Sequence, residues 1–418
     1  AASAELIADP GMMIGGGIVG TLAPDQEGKL RVIAVVLAKP GQPKVAIVAA
    51  DVLFVSRDFV DPALQEIAKV CDIAPDNILV NATHTHHAPT TATVHGYARD
   101  EEFCRRVRQG IVRAVTAADA ALSQQPCEFR FSLGEESSYG QNSRMLLSDQ
   151  TIYWIGSSDD AIRPTGPFDP ELPVLAFLGD AGRYRAVIFN HSTHTMGTRR
   201  PKVKSASAYG LATQELEEQL GGTFLFLEGA SGSTHNLKVT CDEAVIRIKA
   251  AVTTALGKLD PMPVDRLTSV KRPFSFKVRH FDEAAEDERC VQYCRKRSPH
   301  SADVIIDVFR KQRAVLAPHQ GETRTTTLQA MVIGDVAIVG VPAEFFTVLG
   351  MEIKRRSPFR YTYVAELAND WVGYLPDRRG HEMGGYQTWM GLHSYAEAGT
   401  GERIVDETVS MLEDLAAE

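Results

Sequence analysis

The 418-residue chain predicts an α/β fold of mixed β-sheets flanked by helices, on three observations. Apolar strand-like runs alternate with helical periodicity along the whole length. Several of those runs end abruptly in histidine, glutamate or tyrosine. Composition is that of an ordinary globular protein, 44% hydrophobic and 23% charged, enough to bury a sizeable core.

The elements follow in order. "VIAVVLA" and "KVAIVAADVLFV" are rich in Val and Ile and read as buried strands. Helical patterns run from Asp58 to Val70, Glu101 to Leu122, Ser205 to Leu220 and Asp242 to Leu259. The last opens with acids in its first turn, as the helix dipole favours. No internal repeat or low-complexity linker is visible, so residues 1–418 read as a single domain. The stretch at about 265–325 carries "FDEAAEDERC" and "CRKRSPH" and reads as a charged inserted lobe with solvated faces.

The totals exclude some functions. A net charge of -9 argues against a nucleic-acid surface, which needs a basic footprint. No apolar run approaches the roughly 20 residues of a membrane helix, so no transmembrane segment is expected. The first residues lack a basic start and an apolar core, so no signal peptide is expected in this chain. Six cysteines (Cys71, Cys104, Cys127, Cys241, Cys290, Cys294) are scattered, without disulfide-scaffold spacing. Cys290 and Cys294, one helical turn apart, read as reduced structural thiols because no second pair completes a zinc site. Cytoplasm is slightly favoured over export.

The strand ends carry the chemistry. "NILVNATHTHHAP" runs into His84, His86 and His87, and "YRAVIFNHSTHTMG" into His191 and His194. "TFLFLEGASGSTHN" meets a Gly/Ser turn and His235, "DVAIVGVPAEFF" reaches Glu344, and "YTYVAELANDWVGYLP" reaches Tyr374. In α/β proteins ligand sites gather beyond the carboxyl ends of strands. Strand alternation would put His84 and His86 on one face and His87 on the other. One of that pair could bind metal while the other carries a proton or meets an oxyanion. With His194 and Glu344 the set becomes His-His-Glu, which leaves zinc an open position for water and suits amide or ester hydrolysis.

"NATHTHHAP" resembles the "THTHSGP" segment of the neutral, non-lysosomal ceramidases, zinc-dependent amidohydrolases, and further stretches follow in that family's order. The similarity runs from about Gly11 to the C-terminus and is patchy between 240 and 330. It implies His84 as a zinc ligand and His86 as catalytic, with His194 in "NHSTHTMG" and Glu344 in "VPAEFF" as further ligands. Tyr374 and Tyr386 reproduce a twelve-residue tyrosine interval, implying Tyr374 near the metal and Tyr386 at the reacting carbonyl. Arg144 in "GQNSRML" is the best counterpart of the family's arginine, an expected oxyanion donor.

The chain departs from the family in three places. "GASGSTHN" puts His235 where the family serine would fall and Ser233 where its aspartate would, so either residue could take over that chemistry. "APTTATVHGY" replaces the usual "PGG", and its His95 and Tyr97 could line the substrate mouth. The family's C-terminal immunoglobulin-like domain is not expected here.

The resulting expectation is a zinc hydrolase that cleaves an amide or ester bond, with sphingolipid metabolism as the implied setting. Its substrate would be a small molecule, lipid or glycan. Arg199, Arg200, Arg378 and Arg379 hint at an anionic or hydroxylated one. Two alternatives stay open: a carbohydrate-active enzyme, either a uronate-type lyase or a glycoside-cleaving enzyme, and a non-catalytic binding module.

Overall fold

The computed structural model describes residues 1–122, 126–236 and 239–417. Three mixed sheets form its centre. The first orders Ala2–Glu5, Arg31–Leu37, Val45–Ala50 and Ile78–Ala82, the last pair parallel. The second orders Thr223–Glu228, Tyr184–His191, Glu171–Leu178, Glu128–Glu135 and Asp260–Pro261, its first pair parallel. The third orders Leu267–Lys277, Thr323–Ile333, Val336–Val341 and Tyr361–Glu366, again ending in a parallel pair.

Each parallel pair needs a crossover, and each has a helix for it. Arg57–Cys71 links the pair in the first sheet, Ser207–Leu220 in the second and Thr347–Arg356 in the third. Strand alternation then sorts the core. Ile33 and Val35 face the middle, where they join Phe131 and Ile188 of the second sheet and Met331 and Ile338 of the third. Val32, Ala34 and Val36 face outward, beneath helices Arg57–Cys71 and Glu101–Ala120. Each fully buried Val, Ile, Leu or Phe contributes about 1.5–3 kcal/mol, so the three-sheet centre is the main store of stability.

Two asparagines stitch the sheets at their carboxyl ends. Asn81 Oδ1 accepts from the Glu228 amide at 3.0 Å, and its Nδ2 donates to the Glu366 carbonyl. Asn190 Nδ2 donates to Leu227 O at 3.0 Å and Val364 O at 2.9 Å.

The helices expected from periodicity appear within a few residues of their expected ends. The charged lobe is narrower than 265–325. Leu267–Lys277 pairs in unbroken register with Thr323–Ile333, so both belong to the third sheet. What is inserted is the helix pair Glu283–Arg297 and Ala302–Leu316. Its two halves meet on Cys290, Cys294, Ile305 and Phe309, which makes both cysteines buried packing groups. Charge in that segment reflects the outer helix faces, while its flanks were long alternating strands.

Candidate metal centre

The three crossover units point the carboxyl ends of their parallel strands toward one place. The first delivers His84 and His86, the second His194 and His235, the third Glu344 and Tyr374. The histidines of the first unit follow their strand rather than continue it, because the strand ends at Ala82. A turn with His84 at φ 60°, in the left-handed region, sets their direction, not strand alternation. His87 is thereby left out of the cluster.

Glu344 Oε1 lies 3.4 Å from His84 Nε2 and 3.7 Å from His194 Nε2. His86 Nε2 lies 3.1 Å from His84 Nε2, and the Tyr374 hydroxyl 3.2 Å from His194 Nε2. His84, His194 and Glu344 are almost wholly buried, whereas His86, His235 and Tyr386 are partly exposed and mark the open side.

The outer ring nitrogens decide what the inner ones carry. His84 Nδ1 donates to Leu53 O at 3.0 Å, His86 Nδ1 to Gly16 O at 3.0 Å, and His194 Nδ1 to Ser231 O at 2.9 Å. Carbonyl oxygens only accept, so in the neutral rings each Nδ1 holds the hydrogen and each Nε2 presents a lone pair inward. Burial, then the neighbouring imidazoles, hold His86 well below its usual range, and the same causes lower His194.

Inward lone pairs and a carboxylate repel one another unless a cation lies among them. His84, His86 and His194 thus form a group able to hold a metal ion, their donor atoms within 4.8 Å of one another. A tetrahedron with metal–nitrogen bonds of ~2.0–2.1 Å has edges of about 3.3 Å. The Glu344–His84, Glu344–His194 and Tyr374–His194 contacts of 3.4, 3.7 and 3.2 Å lie near that edge, so the cluster has the dimensions to hold a metal ion.

The outer supports include residues that sequence reasoning missed. Trp371 Nε1 donates to Glu344 Oε2 at 3.1 Å. Ser231 Oγ lies 3.2 Å from His194 Nδ1 and donates to Glu366 Oε1 at 2.7 Å. Glu366 Oε2 accepts from the amides of Ser231 at 3.0 Å and Phe345 at 2.7 Å, tying the second unit's turn to the third unit's strand. Burial nonetheless pushes the Glu366 carboxyl well above its usual range. Gly232 permits this approach, since a Cβ there would sit 2.4 Å from Glu344 O. The Gly/Ser composition of "GASGS" was the available signal for such a close turn.

The remaining expected residues divide. His235 stacks on His194 with centroids 4.1 Å apart, so it lies at the centre. The Tyr386 ring lies 5.8 Å from that of Tyr374, also beside it. Ser233 does not face the imidazoles: its Oγ receives the Thr347 amide at 3.1 Å and lines a separate cavity of about 100 Å³. Arg144 is buried and lines the same cavity, but its donors are committed to Gln387, Gly380 O and Gly384 O at 2.8, 3.2 and 2.7 Å. It fastens the loop that carries Tyr386. Tyr97 is buried, its hydroxyl accepting from Gly16 N at 3.0 Å. Arg199 pairs with Glu215 and Asp242, and Arg200 bonds Gln26 O. Arg378 and Arg379 have exposed side chains. Among the described residues, no helix is long and apolar enough to cross a membrane.

No family model matches the chain, and no curated protein matches it by sequence. Solved structures do. The chain aligns over 99% of its length with 74% of neutral ceramidase from Pseudomonas aeruginosa, at a TM-score of 0.74 and 17% identity. It aligns over 100% of its length with 74% of a ceramidase complexed with C2, at a TM-score of 0.76 and 17% identity. The α/β arrangement of three sheets and their crossover helices is therefore the fold seen in neutral ceramidase structures.

Proposed function

We propose that the chain is a zinc-dependent hydrolase that cleaves an N-acyl amide or a related ester bond. The observation carrying this reading is the convergence of one Glu344 oxygen on the inward nitrogens of His84 and His194. Those three residues, with Tyr374, would hold the ion. A bound zinc ion polarises a carbonyl oxygen and makes water acidic near neutral pH. The ceramidase structures that share the fold support an N-acyl amide as the bond cleaved.

The chain's own residues supply the rest. His86 is kept neutral by burial and presents an inward Nε2 lone pair on the open side, so it can take a proton from water. Tyr386 offers a hydroxyl proton, held by a phenol that burial pushes well above its usual range. A preorganised donor of this kind stabilises a developing oxyanion. Arg144 acts by fixing the Tyr386 loop, and His235 provides a second imidazole for proton transfer beside His194.

The test is metal analysis of purified protein, followed by a panel of N-acyl, ester and uronide substrates. The expected result is one zinc per chain and release of amine or acid, both lost in His84→Ala. Full activity in metal-free protein would overturn the proposal. So would a uronide product absorbing in the near ultraviolet with no amide or ester cleavage, since a new double bond marks a lyase.

A further inference from the structure

We infer that Gln312 and His95 fix the direction of hydrogen bonding at Tyr386, making its phenol oxygen accept from His95 so that its own proton is free for the site. This rests on the reading of Tyr386 as the residue beside the substrate carbonyl. Gln312 and His95 would act through Tyr386 in this arrangement, so both are positioning residues.

The direction follows from groups that have no choice. The Leu392 amide can only donate, and it meets Gln312 Oε1 at 2.7 Å. That orients the carboxamide and leaves its Nε2 as the group facing His95 Nδ1 at 3.3 Å. An amide nitrogen donates and does not accept, so His95 Nδ1 is bare. His95 is neutral, because burial and then the neighbouring His393 hold it well below its usual range. A neutral imidazole has one N–H, here on Nε2. Nε2 lies 2.9 Å from the Tyr386 hydroxyl, which must accept there and direct its own hydrogen elsewhere.

The surroundings keep the arrangement in place. His393 Nε2 donates to the Tyr386 carbonyl at 3.0 Å, fixing its backbone. Trp154 stacks on the Tyr386 ring with centroids 4.2 Å apart and planes 3° from parallel, which restrains the ring. Gln312 comes from the inserted helix Ala302–Leu316 and is 2% exposed, a buried amide held by named partners. A Cβ on Gly391 would lie 3.0 Å from Gln312 Oε1 and 2.8 Å from His393 Nδ1, so glycine leaves room for both. His95 itself has φ 55°, a left-handed conformation uncommon outside glycine. The inserted helix pair thus reaches the site through one hydrogen-bonded file.

The experiment is nitrogen NMR on the full chain with 15N-labelled histidine, the His95 signals being identified by their loss in His95→Gln. A protonated Nε2 and a bare Nδ1 are expected. In Gln312→Leu the His95 signals should move toward the average of the two tautomers. Turnover of a p-nitrophenyl ester by that variant should fall about 10-fold in kcat with KM unchanged, a fraction of the roughly 10²–10⁴ that general acid–base groups supply. A hydrogen on Nδ1 in the parent protein overturns the inference, as does Gln312→Leu with an unchanged tautomer. The tautomer is read without substrate. An enzyme with the expected His95 signals that cleaves no amide or ester refutes the proposed function and leaves the relay standing.

Discussion

Trp371→Phe is the most informative small change near the centre, because it removes one hydrogen bond and little else. The indole Nε1 donates to Glu344 Oε2 at 3.1 Å, on the side of the carboxylate away from the imidazoles. The ring stacks on Phe54 with centroids 4.1 Å apart, and phenylalanine keeps that contact. A hydrogen bond to a charged acceptor is worth about 1.5–3 kcal/mol net, but part of it is present with or without metal. What matters is the difference. Losing the outer partner of a ligand typically weakens metal binding 10–100-fold, or about 1.4–2.8 kcal/mol at 1.4 kcal/mol per decade. Zinc affinity measured by competition with a chromophoric chelator should therefore fall by one to two decades, with little change in the unfolding midpoint. Parent-like zinc affinity in a folded variant refutes the reasoning that Glu344 is a ligand oriented by Trp371.

Other consequences can be measured in the same protein. Gly16→Ala would put a Cβ 2.6 Å from His86 Cβ at a backbone φ of 99°. It should lower ester or amide turnover by at least about 10-fold while zinc stoichiometry stays at one; normal turnover would remove His86 from the mechanism. Asn81→Leu strands the Glu228 amide and the Glu366 carbonyl between sheets. At about 1–3 kcal/mol for each buried unpaired group, urea unfolding should show a loss of roughly 2–6 kcal/mol, and a negligible loss contradicts the stitching role. Acid should also destabilise the fold. Burial lowers His381 and His393 to about 4, against about 6.5 in the unfolded chain. Between those values the unfolded state holds more protons. Stability is therefore complete above pH 6.5 and falls toward pH 4 by up to about 1.4 kcal/mol per unit for each histidine. Melting temperatures that stay flat from pH 7 to pH 5 would exclude this.

The residues that meet at the centre were legible because each is a reactive letter at the end of an apolar run. His84, His194, Glu344 and Tyr374 stand in the sequence as interruptions of hydrophobic patterning, and such interruptions have few physical purposes. Their supports were not legible. Asn81, Ser231 and Glu366 act on backbone amides and carbonyls of distant segments, and a single polar letter says nothing about which backbone it meets. Arg144 shows the same limit from the other side: an arginine in the right neighbourhood can as well bind a loop as a substrate. The difference also explains how the fold survives at 17% identity while no family model matches. The three sheets require only alternating apolar residues, which many sequences provide. The inward lone pairs require particular side chains, but only at a few positions. A chain can therefore change most of its residues and keep the geometry that would grip a cation.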